Sequence, residues 1–92
     1  MINIAFTVFD SAAGAYFPPF FVHSEQMAIR SFTDVATDPS HQFAKHPEDY
    51  ILHRIGTFDD NTAEFTPCTP VKVISALECK TASVTPINEA IQ

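Results

Sequence analysis

The stretch DPSHQFAKHPEDYILHRIGTFDD (Asp38–Asp60) decides how the chain can fold, because it places a loop, a strand and a turn in succession. Its first half, Pro39–Asp49, shows no periodicity, which predicts a loop of about ten residues, a length that is often functional. The β-branched and aromatic residues of Tyr50–Phe58 predict a strand. Its apolar residues alternate irregularly, so either both faces of the strand are covered or Gly56 marks a β-bulge that shifts the register.

Downstream of this stretch, the sequence predicts a hairpin. Asp59–Ala63 has the composition of a turn, and Glu64–Thr66 begins the returning strand. Pro67 and Pro70 confine that strand to a sheet edge or break it, because proline cannot donate a hydrogen bond to a neighbouring strand. Val71–Ala76 is a further strand-like run that is rich in β-branched residues.

Upstream, two segments are predicted to be extended. Ile2–Phe9 alternates apolar and polar residues, which predicts a strand with one apolar face. Ala12–Val22 contains two adjacent prolines among four aromatic residues, and the prolines exclude a helix. We expect this segment to lay its rings over the core rather than to display them as a polyproline-type ligand.

One helix is predicted between these segments. Ser24 can cap its first turn, and the Asp38-Pro39 pair ends it. Its buried stripe follows helical spacing and consists of Ala28, Phe32, Val35 and Ala36, widened by Ile29.

The fold class that follows is α+β, a small antiparallel sheet of three to four strands with one helix packed on one face. The helix stripe should lie on Ile4, Phe6 and Val8 and on one face of the strand at residues 50–58. A chain of 92 residues allows one domain. We expect that domain to span residues 1–77, with residues 78–92 forming a polar C-terminal tail that is poorly ordered.

The charge balance bears on the kind of partner. The chain has 11 acidic and five Lys or Arg residues, a net charge of −6. Nucleic-acid affinity comes mainly from Lys and Arg that neutralise phosphates, so an acidic chain favours a protein partner. The start, MINIAFTVFD, lacks a basic segment and a long apolar run, so we expect neither a signal peptide nor a membrane span. Cys68 and Cys79 are expected to be free thiols.

No pattern of chemical groups predicts catalysis, a cofactor or a metal site. The histidines near residue 46 do not have zinc-ligand spacing, and the chain has no CxxC motif. Glu48 and Asp49 indicate a solvated turn rather than an acid/base pair. Neither Ser11 nor Cys68 lies in a nucleophile motif such as GxSxG. We therefore expect a protein that is not an enzyme.

The segment between His23 and Arg54 is where contacts with nucleic acid or a partner would concentrate. It holds all four histidines and three of the five Lys and Arg residues. The six acidic residues in the first 54 residues count against DNA. The residues predicted to make contact, including two rings expected to be exposed, are Arg30, Phe43, Lys45, His46, Tyr50 and Arg54.

Several blocks of sequence point to one family when they are taken together. They are Asp10-Ser11, Ala13, Ala15-Tyr16, Pro18 to Phe21, Ala28 to Arg30, Phe32 to Asp34, Asp38-Pro39, Phe43, Lys45 to Tyr50, Ile55-Gly56 and Phe58 to Asp60. In this order and spacing the chain resembles the small nonstructural protein of gokushovirus-type microviruses, tailless phages with a circular single-stranded DNA genome. The resemblance covers about residues 3–75. Ala63 departs from it, because a glycine is expected where the turn needs a left-handed backbone.

The resemblance implies an early viral protein that is made in the host bacterial cytoplasm and is absent from the mature capsid. Such proteins are often labelled nonstructural or DNA-binding, and no catalytic residue can be carried over from them. We expect an accessory protein of viral DNA replication, or of the switch to single-stranded DNA synthesis and packaging, that docks on a viral or host replication protein. The alternatives are weak direct binding of single-stranded DNA, and a homodimer built by strand-edge pairing or by the aromatic segment Tyr16–Phe21.

Overall fold

The computed structural model describes residues 1–81, and its elements follow the predicted order with additions. The sheet has five strands, of which three are long and two are short. The strands are β1 (Ile2–Asp10), β2 (Ala15–Tyr16), β3 (Phe20–Val22), β4 (Tyr50–Asp59) and β5 (Glu64–Ser75). The helices are α1 (Glu25–Ala36), α2 (Gln42–Lys45), a 3-10 turn (Pro47–Asp49) and α3 (residues 76–81).

The sheet is antiparallel throughout, in the order β2-β1-β4-β5. The short strand β3 also pairs with β1, on the edge away from β4. Because β2 and β3 lie one after the other along this edge, five strands make a sheet that is four strands wide. The predicted α+β fold, with an antiparallel sheet and a helix across one face, is confirmed.

The core lies between α1 and the sheet. Ala28, Phe32 and Ala36 are buried on α1, and they belong to one cluster with buried Phe6, Val8 and Leu52 of the sheet. Ile4, Ile29 and Val35 are half-buried around this cluster. The predicted helix stripe and its predicted partners are therefore confirmed.

Capping residues set the limits of α1. Ser24 has an extended backbone, and its hydroxyl accepts a hydrogen bond from the Met27 N–H at 3.3 Å. At the other end the Thr37 N–H donates to the Thr33 carbonyl at 2.9 Å, and Pro39 follows two residues later. Both predicted helix limits are confirmed.

The predicted loop at residues 39–49 is wrong in its local structure. It contains α2 and the 3-10 turn, and the ring of His41 accepts a hydrogen bond from the Phe43 N–H at 3.1 Å to begin α2. Phe43 and Ala44 are buried. A helix of one turn is too short to show a 3.6-residue repeat, so the hydrophobic pattern could not reveal it.

Gly56 does mark a bulge. Ala5 pairs with Gly56 while Phe6 pairs with Arg54, so Ile55 has no partner on β1. Gly56 has φ +156°, and a Cβ atom there would lie 2.4 Å from the Thr66 carbonyl oxygen. Glycine is therefore required where the backbone of β5 approaches β4 closely.

β5 is one continuous edge strand, and it joins the two segments that the sequence separated. Pro67 and Pro70 lie within it, so they mark a sheet edge and do not end the strand. One of the two shifts in the pairing of β4 with β5 lies between Val71 and Pro67, and it skips Pro70. The hairpin turn before β5 contains Ala63 at φ 64°, which confirms that this position is left-handed.

The packed part of the chain extends past the predicted domain limit at residue 77. Cys79 on α3 is 2% exposed and accepts a hydrogen bond from the Thr33 hydroxyl at 3.4 Å. Lys80 donates to the Ala44 carbonyl at 2.8 Å. Residues 82–92 of the predicted tail lie outside the described residues. No helix within residues 1–81 is both long and apolar enough to cross a membrane.

Candidate functional site

The two rings predicted to be exposed for contact belong to the core instead. Phe43 is 6% exposed and Tyr50 is 7% exposed. Their ring centroids lie 4.3 Å apart, and both rings also contact Phe17. Burial raises the pKa of the Tyr50 hydroxyl above its ordinary value of 10.0, with the nearby carboxylates of Asp10 and Asp49 adding to the effect. The expectation that these rings are exposed is wrong, because α2 and the start of β4 turn them inward.

The predicted cationic contacts come from three separate elements. Arg30 is exposed on α1, and Lys45 is exposed on α2 beside exposed His46. Arg54 is half-buried on β4, and its Nε has no hydrogen-bond partner among the described residues. With the rings between them buried, these side chains lack the stacking surface of a single-strand DNA site.

Three side chains of the 38–60 stretch come close enough to share a cation. The ligand atoms of His46, Glu48 and Asp49 all lie within 4.8 Å of one another, held together by the 3-10 turn. His46 and Glu48 are exposed. Three surface ligands are fewer than the four of a structural zinc site. His41 and His53 are engaged elsewhere, since His41 caps α2 and His53 contacts aromatic rings.

Exposed aromatic rings lie on the face of the sheet opposite α1, which we call the open face. Because Ile4, Phe6 and Val8 point to α1, their alternating neighbours on β1 point to the open face. Ala5 pairs with Phe21 of β3, and Phe58 of β4 pairs with Phe65 of β5. The rings of these strands therefore meet on this face.

One group of rings, the Phe65 cluster, consists of Phe21, Phe58 and Phe65. The centroid of Phe21 lies 5.5 Å from that of Phe58 and 6.5 Å from that of Phe65. Phe21 is 48% exposed and Phe65 is 44% exposed. The Phe65 ring lies over the bulge, since a Cβ atom on Gly56 would be 2.9 Å from it.

The second group, the Tyr16 cluster, consists of Phe9, Tyr16 and His53 at the other end of the open face. The centroid of Phe9 lies 4.7 Å from that of Tyr16, and the His53 ring meets both edge-on at 6.1 and 5.8 Å. Tyr16 is 51% exposed. Lys72 pairs with His53 across the strands and forms a 3.3 Å salt bridge with Glu78.

A cleft of about 280 Å³ separates the two clusters, and it shows that the sheet curls. Its lining combines Pro19, from the edge that carries β2 and β3, with Pro70, from the β5 edge. Thr7 also lines the cleft; it is 3% exposed and donates its hydroxyl proton to the Phe17 carbonyl. The open face is therefore a shallow groove with exposed rings at each end.

Carboxylates are concentrated at the hairpin turn between β4 and β5. Asp59 and Glu64 are direct cross-strand partners. Asp60 accepts a hydrogen bond from the N-terminal amine at 2.6 Å, which lowers the pKa of the Asp60 carboxyl and raises the pKa of the amine. The hairpin end of the sheet thus carries negative charge, but Asp59 and Glu64 point to the face opposite Phe58 and Phe65, because side chains alternate along a strand.

These groups are suited to binding rather than to acid/base chemistry. Among residues 1–81, the carboxyl groups with a shifted pKa are Asp38, Asp60 and Glu78, and each is lowered by hydrogen bonds. A general acid needs the opposite shift. Exposed aromatic side chains supply contact area at low conformational cost, and they are enriched at protein interfaces.

The sequence prediction found only part of this surface. It named Tyr16–Phe21 as an aromatic segment that could pair two copies, and it did not name Phe58, Phe65 or His53. Phe65 was hidden because its neighbours Pro67 and Pro70 obscure the strand pattern. The useful signal was the bulge at Gly56, because a glycine in a strand indicates close approach of another group.

The comparisons with known proteins give one match. A protein-family model described as "Phage ORF5 protein" matches residues 3–79. No curated protein and no solved structure matches the chain. The matched residues include Phe21, Phe65, the whole of α1 and every residue of the sheet except Ile2. The chain therefore belongs to the phage ORF5 protein family, which confirms the predicted resemblance at the level of a bacteriophage protein.

Proposed function

We propose that this protein is an accessory protein of gokushovirus-type microviruses that docks on a viral or host replication protein. It acts in viral DNA replication, or in the switch to single-stranded DNA synthesis and packaging, in the cytoplasm of the host bacterium. Membership of a phage family supports the viral part of this proposal. The resemblance of the Lys45–Tyr50 and Gly56–Asp60 runs to the microvirus proteins supports the rest.

The single observation that carries docking is the open face of the sheet. Three of its rings, those of Tyr16, Phe21 and Phe65, are each about half exposed. Large aromatic side chains are usually more buried than this, and a sheet face is a surface on which a small protein can bury them. Exposed aromatic residues that cluster are typical of interface hot spots. The net charge of −6 disfavours phosphate as the partner chemistry.

Affinity capture from infected cells tests this proposal. Tagged wild-type protein should retain a replication protein that mass spectrometry identifies, at physiological salt. The variants Phe21→Ser and Phe65→Ser should lose it, because they remove the exposed rings. Leu77→Ser is the matched control, since Leu77 is 50% exposed on α3, outside the open face, and it should retain the partner. Recovery of DNA alone, or equal capture by all three variants, would contradict docking.

Direct binding of single-stranded DNA is the second candidate, and the open face also gives it some support. Bases stack on exposed rings of a sheet, and Lys72 is the cross-strand partner of His53 in the Tyr16 cluster. Such binding would be weak and would fall steeply with salt. The absence of a shifted oligonucleotide band at ~50 mM salt would exclude this candidate.

A homodimer is the third candidate, supported by the exposed edge of β5. Nine of its residues, from Glu64 to Lys72, are exposed. An uncovered edge strand can pair with a second copy, but Pro67 and Pro70 remove two donors from it. Light scattering at increasing concentration separates a monomer from a dimer directly.

A further inference from the structure

We infer that the guanidinium of Arg54 is a binding site for a single carboxylate, supplied by an Asp or Glu side chain of a partner protein. This inference rests on the proposed docking on a protein and adds a second contact, because Arg54 lies on the side of the sheet that carries α1. It follows from a buried nitrogen of the side chain that has no acceptor, from the exposed strand beside it, and from the charges on the same face.

The strand pairing fixes the direction of the Arg54 side chain. Arg54 is the cross-strand partner of Phe6 on β1, and directly opposed residues of an antiparallel pair point to the same face. Phe6 is fully buried in the core cluster with Phe32 of α1. Arg54 therefore lies on the face of the sheet that carries α1, opposite the open face.

The core covers this row of the sheet only in part. Phe6, on one side of Arg54, is 0% exposed, whereas Val71, the partner of Arg54 on β5, is 43% exposed. Arg54 is half-buried between them, so its side chain lies at the border between the core and an uncovered strip along β5. Because β5 is an edge strand, a partner that covers Phe65 on the open face can reach Arg54 around this edge.

The Nε–H of Arg54 is a buried donor that has no acceptor among the described residues. Buried polar groups are nearly always hydrogen-bonded, because an unpaired donor has lost its bonds to water and gained none in return. The side chain as a whole is only half-buried, so its other atoms reach the surface. Since the Nε–H has no hydrogen bond to break, the guanidinium can turn toward an anion that approaches there.

Arg54 is also a charge without a counter-charge. No salt bridge within residues 1–81 includes it, whereas Lys72 pairs with Glu78 at 3.3 Å. Arg30 and Lys45 are exposed, so water solvates their charges. A half-buried cation is less well solvated, and it therefore gains more from an anion that a partner supplies.

A carboxylate fits this donor better than a polyanion does. The planar guanidinium presents paired N–H groups that match the two oxygens of a carboxylate. Asp59 pairs with Ile2 of β1 and with Glu64 of β5, which places both carboxylates on the same face as Arg54. Nucleic acid carries a phosphate at every nucleotide, and these carboxylates would repel the neighbouring phosphates. A lone acidic side chain in an otherwise uncharged protein segment avoids this repulsion.

NMR of the ¹⁵N-labelled protein tests the site, with acetate as the carboxylate probe. A buried Nε–H exchanges slowly with water, so the Arg54 signal should be visible at neutral pH and should disappear in Arg54→Lys, which assigns it. Acetate should move this signal in a saturable way, and sodium chloride at equal ionic strength should not. The matched control is Arg30→Lys, which removes an exposed guanidinium and should leave the response of the Arg54 signal unchanged.

The thermal stability of Arg54→Met separates a binding role from a structural one. Met keeps an unbranched apolar stem and removes both the charge and the unpaired donor. This variant should therefore melt at or above the temperature of wild type. A lower melting temperature would show that the guanidinium stabilises the fold by itself, and it would overturn the inference.

Capture from infected cells tests the contact with the partner. Arg54→Met should retain at least roughly fivefold less of the replication protein than wild type, and Arg30→Met should retain it fully. A signal of Arg54 that responds to inorganic phosphate or an oligonucleotide but not to acetate would overturn the carboxylate. If capture needs Phe21 and Phe65 but not Arg54, the carboxylate site is wrong while docking stands. If capture recovers only DNA, docking itself fails.

Discussion

The two faces of the sheet differ in what covers their side chains. On the α1 face, the side chains of β1 and β4 meet the helix stripe, and Phe6 and Leu52 are fully buried. On the open face, the rings of the same two strands contact one another and the rings of the edge strands, and Phe21 and Phe65 remain half exposed. The α1 face therefore stabilises the fold, and the open face is available to a partner.

The largest expected effect is on the α1 face. Phe32 is 3% exposed within the core cluster, and Phe32→Ala should lower the free energy of unfolding by about 3–5 kcal/mol, because it leaves a cavity. Chemical denaturation measures this loss. A variant that is as stable as wild type would contradict the packing of α1 on the sheet.

The next largest effect is expected at the Gly56 bulge, where the backbone of β5 approaches β4 closely. Gly56→Ala places a Cβ atom 2.4 Å from the Thr66 carbonyl oxygen, with φ +156°, and should cost about 2 kcal/mol or more. Gly14→Ala is the control for backbone strain alone, since Gly14 has φ +68° and no atom within 4 Å of the added methyl group. Thermal melts of the two variants should differ, with Gly56→Ala less stable.

A smaller effect on stability is expected on the open face. Phe65 is 44% exposed, so Phe65→Ser should lower the free energy of unfolding by about 1 kcal/mol, well below the effect of Phe32→Ala. The same denaturation experiment gives both values. Equal losses of unfolding free energy in Phe65→Ser and Phe32→Ala would contradict the claim that the α1 face stabilises the fold while the open face is available to a partner.

The smallest effect is the pH dependence at the exposed hairpin end. The hydrogen bond from the N-terminal amine lowers the pKa of Asp60 below its ordinary value of 3.8. Asp60 therefore contributes stability above that value and loses it as pH falls through the lowered pKa. The raised pKa of the amine gives stability that is present below its ordinary value of 8.0 and is lost as pH rises through the raised value.

Asp60→Asn tests this assignment. Denaturation midpoints compared between neutral and acidic pH should fall less in the Asp60→Asn variant than in wild type, because the variant has no carboxyl group to protonate there. The difference should be small, since both groups are fully exposed. An identical pH dependence of stability for the two proteins would show that this ion pair does not contribute to stability.

The sequence predicted the α1 face well for a physical reason. Alternation in Ile2–Phe9 and helical spacing from Ala28 to Ala36 are local patterns, and burial on one face is what produces them. The left-handed turn at Ala63 was also predicted, because the backbone geometry of a hairpin turn is local.

The open face could not be predicted as well, because it depends on which strands pair and in which register. The contact of Phe21 with Phe65 joins residues of the two sheet edges, and two register shifts set the position of β5. A second limit explains why the burial of two predicted contact residues was missed. Phe43 and Tyr50 were expected to be exposed because a one-turn helix leaves no periodic signal that would place them inside.

The most direct test of the open face as a docking surface is site-specific photo-crosslinking in infected cells. A photoreactive phenylalanine analogue is placed at position 65, and in a second variant at position 77, which is exposed to a similar extent on α3. The account predicts a covalent adduct with a replication protein from position 65 and none from position 77. Adducts of equal yield from both positions, or an adduct from position 77 alone, would contradict it.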